Sequence, residues 1–312
     1  MDFETRFYSA GIPLAATVHI PDQNNDRLAG RELVKVPDGI ACSTQKYPMV
    51  ILCHGHARFR NDGLDGLARA LGASGIASLR FDHRGCGKDA VNRYRLRPAT
   101  EMPYDTKCAI DFCESLPFVD RGRIGISGVS MGGVMSIITA ASDPRIKSAA
   151  PMAAPADCST GIISGWGDKA EEVMEILRED ARINAATGCS RVINRMNDLA
   201  QAQGAEVADA NILEALMIPG DNAYTTLESM QNLMQYVAMD YVEDVRCPIF
   251  VIHGEDDELI PVADARQIYA GLPADNPKKV LKIYKDVDHN IPICGNRDIV
   301  FRDIVAWFLE TL

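Results

Sequence analysis

The stretch of sequence that decides the fold is Arg123-Ile-Gly-Ile-Ser-Gly-Val-Ser130-Met-Gly-Gly133. An apolar run of strand length leads into Gly-x-Ser-x-Gly, and a helical pattern follows, with apolar residues at 131, 134, 135 and 138. In this context the motif predicts a tight turn that lifts the Ser130 hydroxyl out at the end of a strand. The start of the following helix favours developing negative charge there. Glycine and serine are ordinary turn residues, so the motif alone is weak, but the flanking strand and helix favour a nucleophile.

Short apolar runs alternate with helical patterns along most of the chain. The runs cover residues 49–53, 76–81, 123–127, 146–152, 249–253 and 280–284. Uniformly apolar strands that alternate with amphipathic helices predict an α/β fold with a mostly parallel central sheet and helices on both faces. The segment 7–21 predicts an additional antiparallel strand pair at one edge of the sheet.

The alternation stops between residues 157 and 245, where three helices are predicted, at 170–186, 191–203 and 226–245. The predicted apolar face of the first helix comprises Val173, Ile176, Leu177 and Ile183. Both flanks return to strands of the main sheet. We therefore expect residues 1–156 and 246–312 to form the core and residues 157–245 to form a helical cap inserted over one end of the sheet. A second, independently folding domain is the alternative.

A serine hydroxyl needs a neighbouring base to take its proton. The chain has six histidines, at positions 19, 54, 56, 83, 253 and 289. His54 and His253 each precede a glycine at a strand end, where an imidazole usually stabilises the turn. His289 follows the last strand, in a loop that can carry its ring to the serine. We therefore predict His289 as the general base; a surface histidine is the alternative.

The acid that orients the base must lie at the same end of the sheet. Four consecutive carboxylates, at positions 255–258, follow the penultimate strand. In the pattern Gly-x-x-Asp-x-x-apolar-Pro, Asp257 takes the acid position. Asp256 is held in reserve, and Asp157, after an earlier strand, is a third candidate.

Acyl transfer builds negative charge on a carbonyl oxygen, which two backbone N–H groups should stabilise. One donor is expected from Met131, the residue after the nucleophile. The other is expected from His56, in the loop His54-Gly55-His56-Ala57 after the first central strand. Ala57 is an alternative donor in this oxyanion hole.

Composition restricts the partners and the compartment. A net charge of −11 over 312 residues argues against nucleic acid and anionic membranes, which both reward clustered Lys and Arg. Without a basic-then-apolar leader or a run of ~18 apolar residues, we expect a cytoplasmic protein that does not span a membrane. The nine cysteines form no Cys-x-x-Cys pair, and several, including Cys53, Cys108 and Cys113, lie in apolar patterns that favour reduced thiols. No metal-ligand spacing is present, so we expect no metal and no organic cofactor.

These segments together resemble the α/β-hydrolase superfamily over nearly the whole chain outside the predicted cap, and the order Ser, Asp, His is the order of that superfamily. The motifs are similar to those of the cinnamoyl/feruloyl-esterase and dienelactone-hydrolase-like group. They are His54-Gly55 with Arg60-Asn61, Arg80-Phe-Asp-His-Arg-Gly-Cys-Gly87, Gly128-Val-Ser-Met-Gly-Gly133, and His253 to Pro261. Dienelactone hydrolases use a cysteine nucleophile, so the serine here favours ester chemistry. The insertion is longer and more helical than the lid of feruloyl esterases, so their substrate does not carry over.

Substrate specificity is expected to reside in the cap. Six of the twelve methionines fall in it, and flexible thioethers adapt to apolar ligands. Met230, Met234 and Trp166 are the candidate pocket residues, with Tyr224 as a further aromatic. For the methionines, packing within the cap's own core is the favoured alternative. Arg58 could pair with a substrate carboxylate, whereas Arg60 is expected to form a structural salt bridge.

We therefore interpret the chain as a serine carboxylic-ester hydrolase that acts through an acyl-enzyme on a small to medium, apolar or aromatic ester. A C–C bond hydrolase, an acyltransferase of a biosynthetic or catabolic pathway and a serine peptidase are rivals that use the same triad. A non-catalytic binding module is a different class, and an intact Ser–Asp–His set argues against it. The expected partner is a small-molecule ester or related acyl substrate, and a homodimer is left open.

Overall fold

The computed structural model describes residues 1–21, 33–35, 41–43, 46–56, 58–87, 101–160, 163, 167–194 and 224–312. Twelve strands lie in these ranges. They are β1 (Asp2–Ser9), β2 (Ile12–His19), β3 (Leu33–Lys35), β4 (Ala41–Ser43), β5 (Tyr47–Cys53), β6 (Ala77–Phe81), β7 (Val119–Val129), β8 (Ile146–Met152), β9 (Val192–Asn194), β10 (Tyr224–Thr226), β11 (Ile249–Gly254) and β12 (Lys279–Tyr284).

Eight of the described strands form one sheet in the order β1-β2-β6-β5-β7-β8-β11-β12. The pairs β1–β2 and β2–β6 are antiparallel, and the remaining neighbours in the sheet are parallel. The antiparallel edge pair is the one predicted, although it begins at Asp2 rather than at residue 7. The predicted α/β fold with a mostly parallel sheet is confirmed.

Helices lie on both faces of the sheet and in the segment between β8 and β11. They are α1 (Leu64–Ala73), α2 (Glu101–Ser115), α3 (Met131–Ser142), α4 (Ala170–Thr187), α5 (Leu227–Leu233), α6 (Met239–Val242), α7 (Val262–Gly271) and α8 (Arg297–Thr311). Alternate residues of β5 pack on opposite faces of the sheet. Met49 and Ile51 lie in one hydrophobic cluster with α2 and α3. Val50 and Leu52 lie in another cluster with α1 and α8. Because both faces are buried, the strand is apolar throughout. None of the helices in the described ranges is long and apolar enough to cross a membrane.

The described cysteine side chains form no disulfide. Cys53 and Cys113 are buried, as predicted, and Cys108 is half-buried. Burial raises the pKa of Cys53 to about 12, so this thiol stays protonated at neutral pH.

Between β8 and β11 the predicted helices are only partly correct. Helix α4 matches the first of them, but Ile176 and Ile183 of its predicted apolar face are exposed. The buried positions are Leu177, which packs with Leu227 of α5, and Asp180. Asp180 is buried because its carboxylate accepts hydrogen bonds from the Ser190 hydroxyl at 2.6 Å and the Arg191 N–H at 2.8 Å.

The second predicted helix, 191–203, is wrong at residues 192–194, which form β9 and pair antiparallel with β10. Residues 195–203 lie outside the described residues. The third, 226–245, is divided into α5 and α6. The backbone between them pairs with the segment that follows β8, through a bridge between Asp157 and Val237 and a bond from Cys158 N–H to Tyr236 O at 3.0 Å. The division of the chain into core and cap stays a prediction.

A buried ion pair fixes the loop after β6. The guanidinium of Arg84 lies against the carboxylate of Asp105 in α2, with Nε at 2.9 and 3.0 Å from the two oxygens. The backbone N–H of Arg84 donates to the same carboxylate at 3.2 Å, and Nη2 donates to Ser9 Oγ at 2.8 Å. Both charged side chains are buried. The pair therefore joins the β6 loop, α2 and the edge strand β1.

We expect Asp105→Asn to lower the free energy of unfolding by about 3 kcal/mol, because the buried Arg84 guanidinium loses its closest anionic partner. The matched control is Asp111→Asn, on the exposed side of the same helix. Asp111 pairs with Lys107 and Arg145 near solvent, so its loss should cost less than about 1 kcal/mol. Urea unfolding of both variants measures the difference, and equal losses would contradict the expectation.

Candidate active site

Ser130 lies in the turn between β7 and α3 with φ 57° and ψ −119°. A side-chain-bearing residue rarely adopts this conformation, so the surrounding contacts must hold it. The Ser130 N–H donates to Met152 O of β8 at 2.9 Å, and Ser130 O accepts the Val134 N–H at 3.1 Å. The turn therefore has the backbone geometry of a nucleophile elbow.

Two glycines make this turn possible. A methyl group on Gly132 would overlap Cys53 O and lie 2.7 Å from His54 O. A methyl group on Gly128 would lie 2.7 Å from the same Cys53 oxygen. The two glycines thus let the turn and the end of β5 pack backbone against backbone.

Asp257 and His289 come from the loops after β11 and β12. His289 Nδ1 lies 2.8 Å from Asp257 Oδ2. The other oxygen, Oδ1, accepts the N–H groups of Leu259 at 3.0 Å and Ile260 at 2.8 Å, and the carboxylate is fully buried. An ionised carboxylate only accepts, so it holds the neutral imidazole with its proton on Nδ1. Nε2 is then the nitrogen that can accept a proton.

Close backbone contact brings these two loops together. A methyl group on Gly254, at the end of β11, would overlap Val287 O. The Asp256 N–H donates to the same Val287 oxygen at 3.1 Å, and the Glu255 N–H donates to Tyr284 O at 2.8 Å. The candidate acid and the candidate base are therefore positioned by backbone bonds between neighbouring strand ends.

Neither alternative acid has a hydrogen bond to His289. The side chain of Asp256 is exposed. Asp157 accepts the Ser159 N–H and hydroxyl, each at 2.7 Å, and the Thr160 hydroxyl at 2.9 Å. It therefore caps the turn that follows β8.

His253 is a neighbour of the candidate acid that the sequence analysis assigned only to a turn. It is fully buried, with Nε2 at 2.9 Å from Ile260 O and 3.4 Å from Asp257 Oδ2. His253 and His289 thus both approach the same oxygen, Oδ2, of the Asp257 carboxylate. Its position four residues before Asp257 is the only sequence signal of this contact.

The predicted oxyanion donors lie on either side of the elbow. Met131 is the first residue of α3, where a backbone N–H has no intrahelical acceptor. A methyl group on Gly55 would lie 3.5 Å from Ser130 Cβ, so the loop that carries His56 lies beside the serine. His56 is buried. Ala57, the alternative donor, lies outside the described residues.

His54 supports this loop as a neutral residue. Its Nε2 accepts the His83 N–H at 3.1 Å, so its Nδ1 carries the proton and donates to Gly55 O at 2.7 Å. Burial lowers the pKa of His54, which keeps the imidazole uncharged at neutral pH.

The remaining candidates have different surroundings. Arg60 forms a structural ion pair, with Asp82 and with Glu4 at 2.8 Å, as predicted. Arg58 reaches Asn290 Oδ1 at 3.3 Å, next to His289. Met230 and Met234 are half-buried against Leu177 and Leu227, within the hydrophobic cluster between α4 and α5. Trp166 lies outside the described residues, and Tyr224 lies in β10.

Known proteins resemble the chain over most of its length. Residues 44–293 match the Hydrolase_4 family model, described as serine aminopeptidase, S33. A monoacylglycerol lipase of Mycolicibacterium smegmatis is 23% identical over 273 residues, which are 85% of this chain and 89% of that protein.

Two solved structures share the fold. The α/β hydrolase GrgF from a Penicillium species is 19% identical with a TM-score of 0.76, and the match covers 100% of this chain and 99% of that chain. Est1E from Butyrivibrio proteoclasticus is 18% identical with a TM-score of 0.61, and the match covers 99% of this chain and 98% of that chain. The resemblance predicted from the motifs is confirmed, and the chain belongs to the Hydrolase_4 (serine aminopeptidase, S33) family of α/β-hydrolases.

Proposed function

We propose that the chain hydrolyses carboxylic esters through an acyl-enzyme formed on Ser130. The observation that carries the proposal is the 2.8 Å bond between Asp257 and His289, at the same end of the sheet as Ser130, which directly follows β7. The strands β7, β11 and β12 run parallel, so their carboxyl ends lie at one edge. A strained serine, an imidazole and a buried carboxylate at one edge suit acyl transfer.

The chemistry proceeds in two halves. In the first, His289 Nε2 takes the Ser130 proton as Oγ attacks the ester carbonyl, and the Asp257 carboxylate stabilises the imidazolium. The N–H groups of His56 and Met131 donate to the oxyanion. Collapse expels the alcohol, which takes the proton from His289, and leaves an acylated serine.

In the second half, His289 deprotonates a water molecule that attacks the acyl carbonyl. Collapse of the second tetrahedral intermediate returns the proton to Ser130 and releases the carboxylic acid. In both halves this chain supplies the nucleophile, the proton transfers and the hydrogen bonds to the oxyanion. The proposed substrate is a small to medium ester with an apolar or aromatic part.

The relatives support ester chemistry without naming the substrate. One is called a monoacylglycerol lipase, and Est1E has been solved with ferulic acid bound. The family description favours a serine aminopeptidase as the second candidate. Turnover of aminoacyl p-nitroanilides alongside p-nitrophenyl esters distinguishes the two.

We expect Ser130→Ala to lower turnover of p-nitrophenyl esters, from acetate to long acyl chains, by at least about 10³-fold, because the nucleophile is removed. The free energy of unfolding should change by less than about 1 kcal/mol. Ser142→Ala, at the other end of α3, is the matched control and should keep activity. Wild-type turnover by Ser130→Ala would overturn the proposal.

We expect Asp257→Asn to lower kcat by about 10³- to 10⁴-fold, because an amide can donate to Nδ1 and so favour the tautomer whose Nε2 cannot accept the serine proton. Asp256→Asn is the matched control, since the neighbouring carboxylate is exposed, and its kcat should stay within about twofold of wild type. Steady-state kinetics on one ester suffices. Similar losses in the two variants would remove Asp257 from the assigned role.

A further inference from the structure

Arg58 is paired differently from the other arginines around the β5 and β6 loops. Arg60, Arg80 and Arg84 are buried, and each has a carboxylate within hydrogen-bonding distance. The Arg58 side chain is 46% exposed, and the nearest carboxylate among the described residues, on Asp62, lies 3.8 Å away. Its guanidinium donates to the neutral amide oxygen of Asn290 at 3.3 Å, and within the described ranges it has no hydrogen bond to a carboxylate. The guanidinium thus has donors available to a further acceptor.

The position of this side chain is set by the two loops that carry the reacting groups. A methyl group on Gly55 would touch both Ser130 Cβ, at 3.5 Å, and Arg58 Cγ, at 3.8 Å. The stem of Arg58 therefore lies one methyl group away from the nucleophile. Its guanidinium extends to Asn290, the residue directly after His289. It spans the gap between the serine side and the histidine side of the site.

The direction of proton transfer indicates which half of a substrate lies beside His289. In the proposed reaction His289 gives its proton to the departing alcohol, so the leaving group lies beside the imidazole. Arg58 contacts Asn290, the residue that follows His289 in the same loop. An alcohol half that lies beside the imidazole would therefore be the part of an ester within reach of this guanidinium.

The charges around Arg58 leave room for an anion. Asp62 is beyond hydrogen-bonding distance, and burial raises the pKa of its carboxyl group, although Arg58 opposes that effect. Asp288 is exposed, and its carboxylate accepts the Asn290 N–H at 2.8 Å. The Asp257 carboxylate is buried against His289. The chain has a net charge of −11, so a cation beside the candidate site gives an anionic substrate a local attractive partner.

We infer that Arg58 binds a carboxylate on the leaving-group half of the substrate, so that the preferred ester carries a carboxylate on its alcohol. Asn290 holds the guanidinium in place for this contact. The planar guanidinium matches a carboxylate with two parallel hydrogen bonds. The inference rests on the proposed ester hydrolysis and specifies its substrate class.

The test compares two esters that differ only in the charge of the leaving group, phenyl butyrate and 3-carboxyphenyl butyrate. Dividing each rate by that of uncatalysed hydrolysis removes differences in intrinsic reactivity. We expect wild type to prefer the charged ester, and Arg58→Gln to lower the ratio of the two kcat/KM values by about tenfold. The matched control is Arg69→Gln, an exposed arginine of α1 that pairs with Asp65, and it should leave the ratio unchanged.

A purely structural role for Arg58 in placing the His289 loop would slow both esters equally, and an unchanged ratio would therefore overturn the inference.

Ligand-observed NMR with 3-hydroxybenzoate and phenol, the two alcohol products, repeats the comparison without turnover. Wild type should bind the anion more tightly, and Arg58→Gln should lose that preference. An absent preference in wild type, or one that Arg58→Gln retains, overturns the inference. Ester turnover that survives Ser130→Ala overturns the proposed function instead, while the binding comparison still tests Arg58.

Discussion

The backbone strain at Ser130 sets the requirements for the structure around it. A residue with a side chain at φ 57° and ψ −119° costs of order 1–3 kcal/mol, which the neighbouring contacts must offset. The bond to Met152 O fixes the turn to β8, and the glycines at 128 and 132 bring it against the end of β5. The close contact between this turn and the end of β5, which the two glycines allow, also brings the His54–His56 loop beside the serine. Strain and the expected oxyanion geometry thus have one structural cause.

Buried polar groups then fix the loops at this edge. Arg60 with Asp82 and Arg84 with Asp105 hold the loop after β6 from two sides. The neutral His54 links that loop to the one after β5, through its bonds to His83 N–H and Gly55 O. Such groups are costly to bury unless every partner is present, which makes the loop geometry cooperative. In the Arg-Phe-Asp-His-Arg stretch, the side chains of Arg80, Asp82 and Arg84 thus each have a structural ion-pair partner.

Sequence reasoning worked where one local rule decides the outcome. Buried parallel strands must be apolar on both faces, so the run 146–152 predicted β8 without error. Because parallel strands end at one edge, the sequence also predicted that Asp257 and His289 lie close together, and they are 2.8 Å apart, while their catalytic roles stay a prediction. The helix predictions failed in part between β8 and β11. There a continuous helix was predicted, but the backbone near residues 236–237 bonds with the segment after β8. Sequence reasoning also missed Asp180 and His253, since a buried polar residue has a meaning only once its distant partners are known.

The bridge between Asp157 and Val237 has a consequence for how such a chain can diversify. It joins the segment that follows β8 to the segment between α5 and α6, so the residues between Asp157 and Val237 form a loop closed at its base. Extending a closed loop adds little entropic cost, about 0.6 kcal/mol for each doubling of length. The length of the segment between these two points can therefore change at little cost to the sheet that holds β8 and β11.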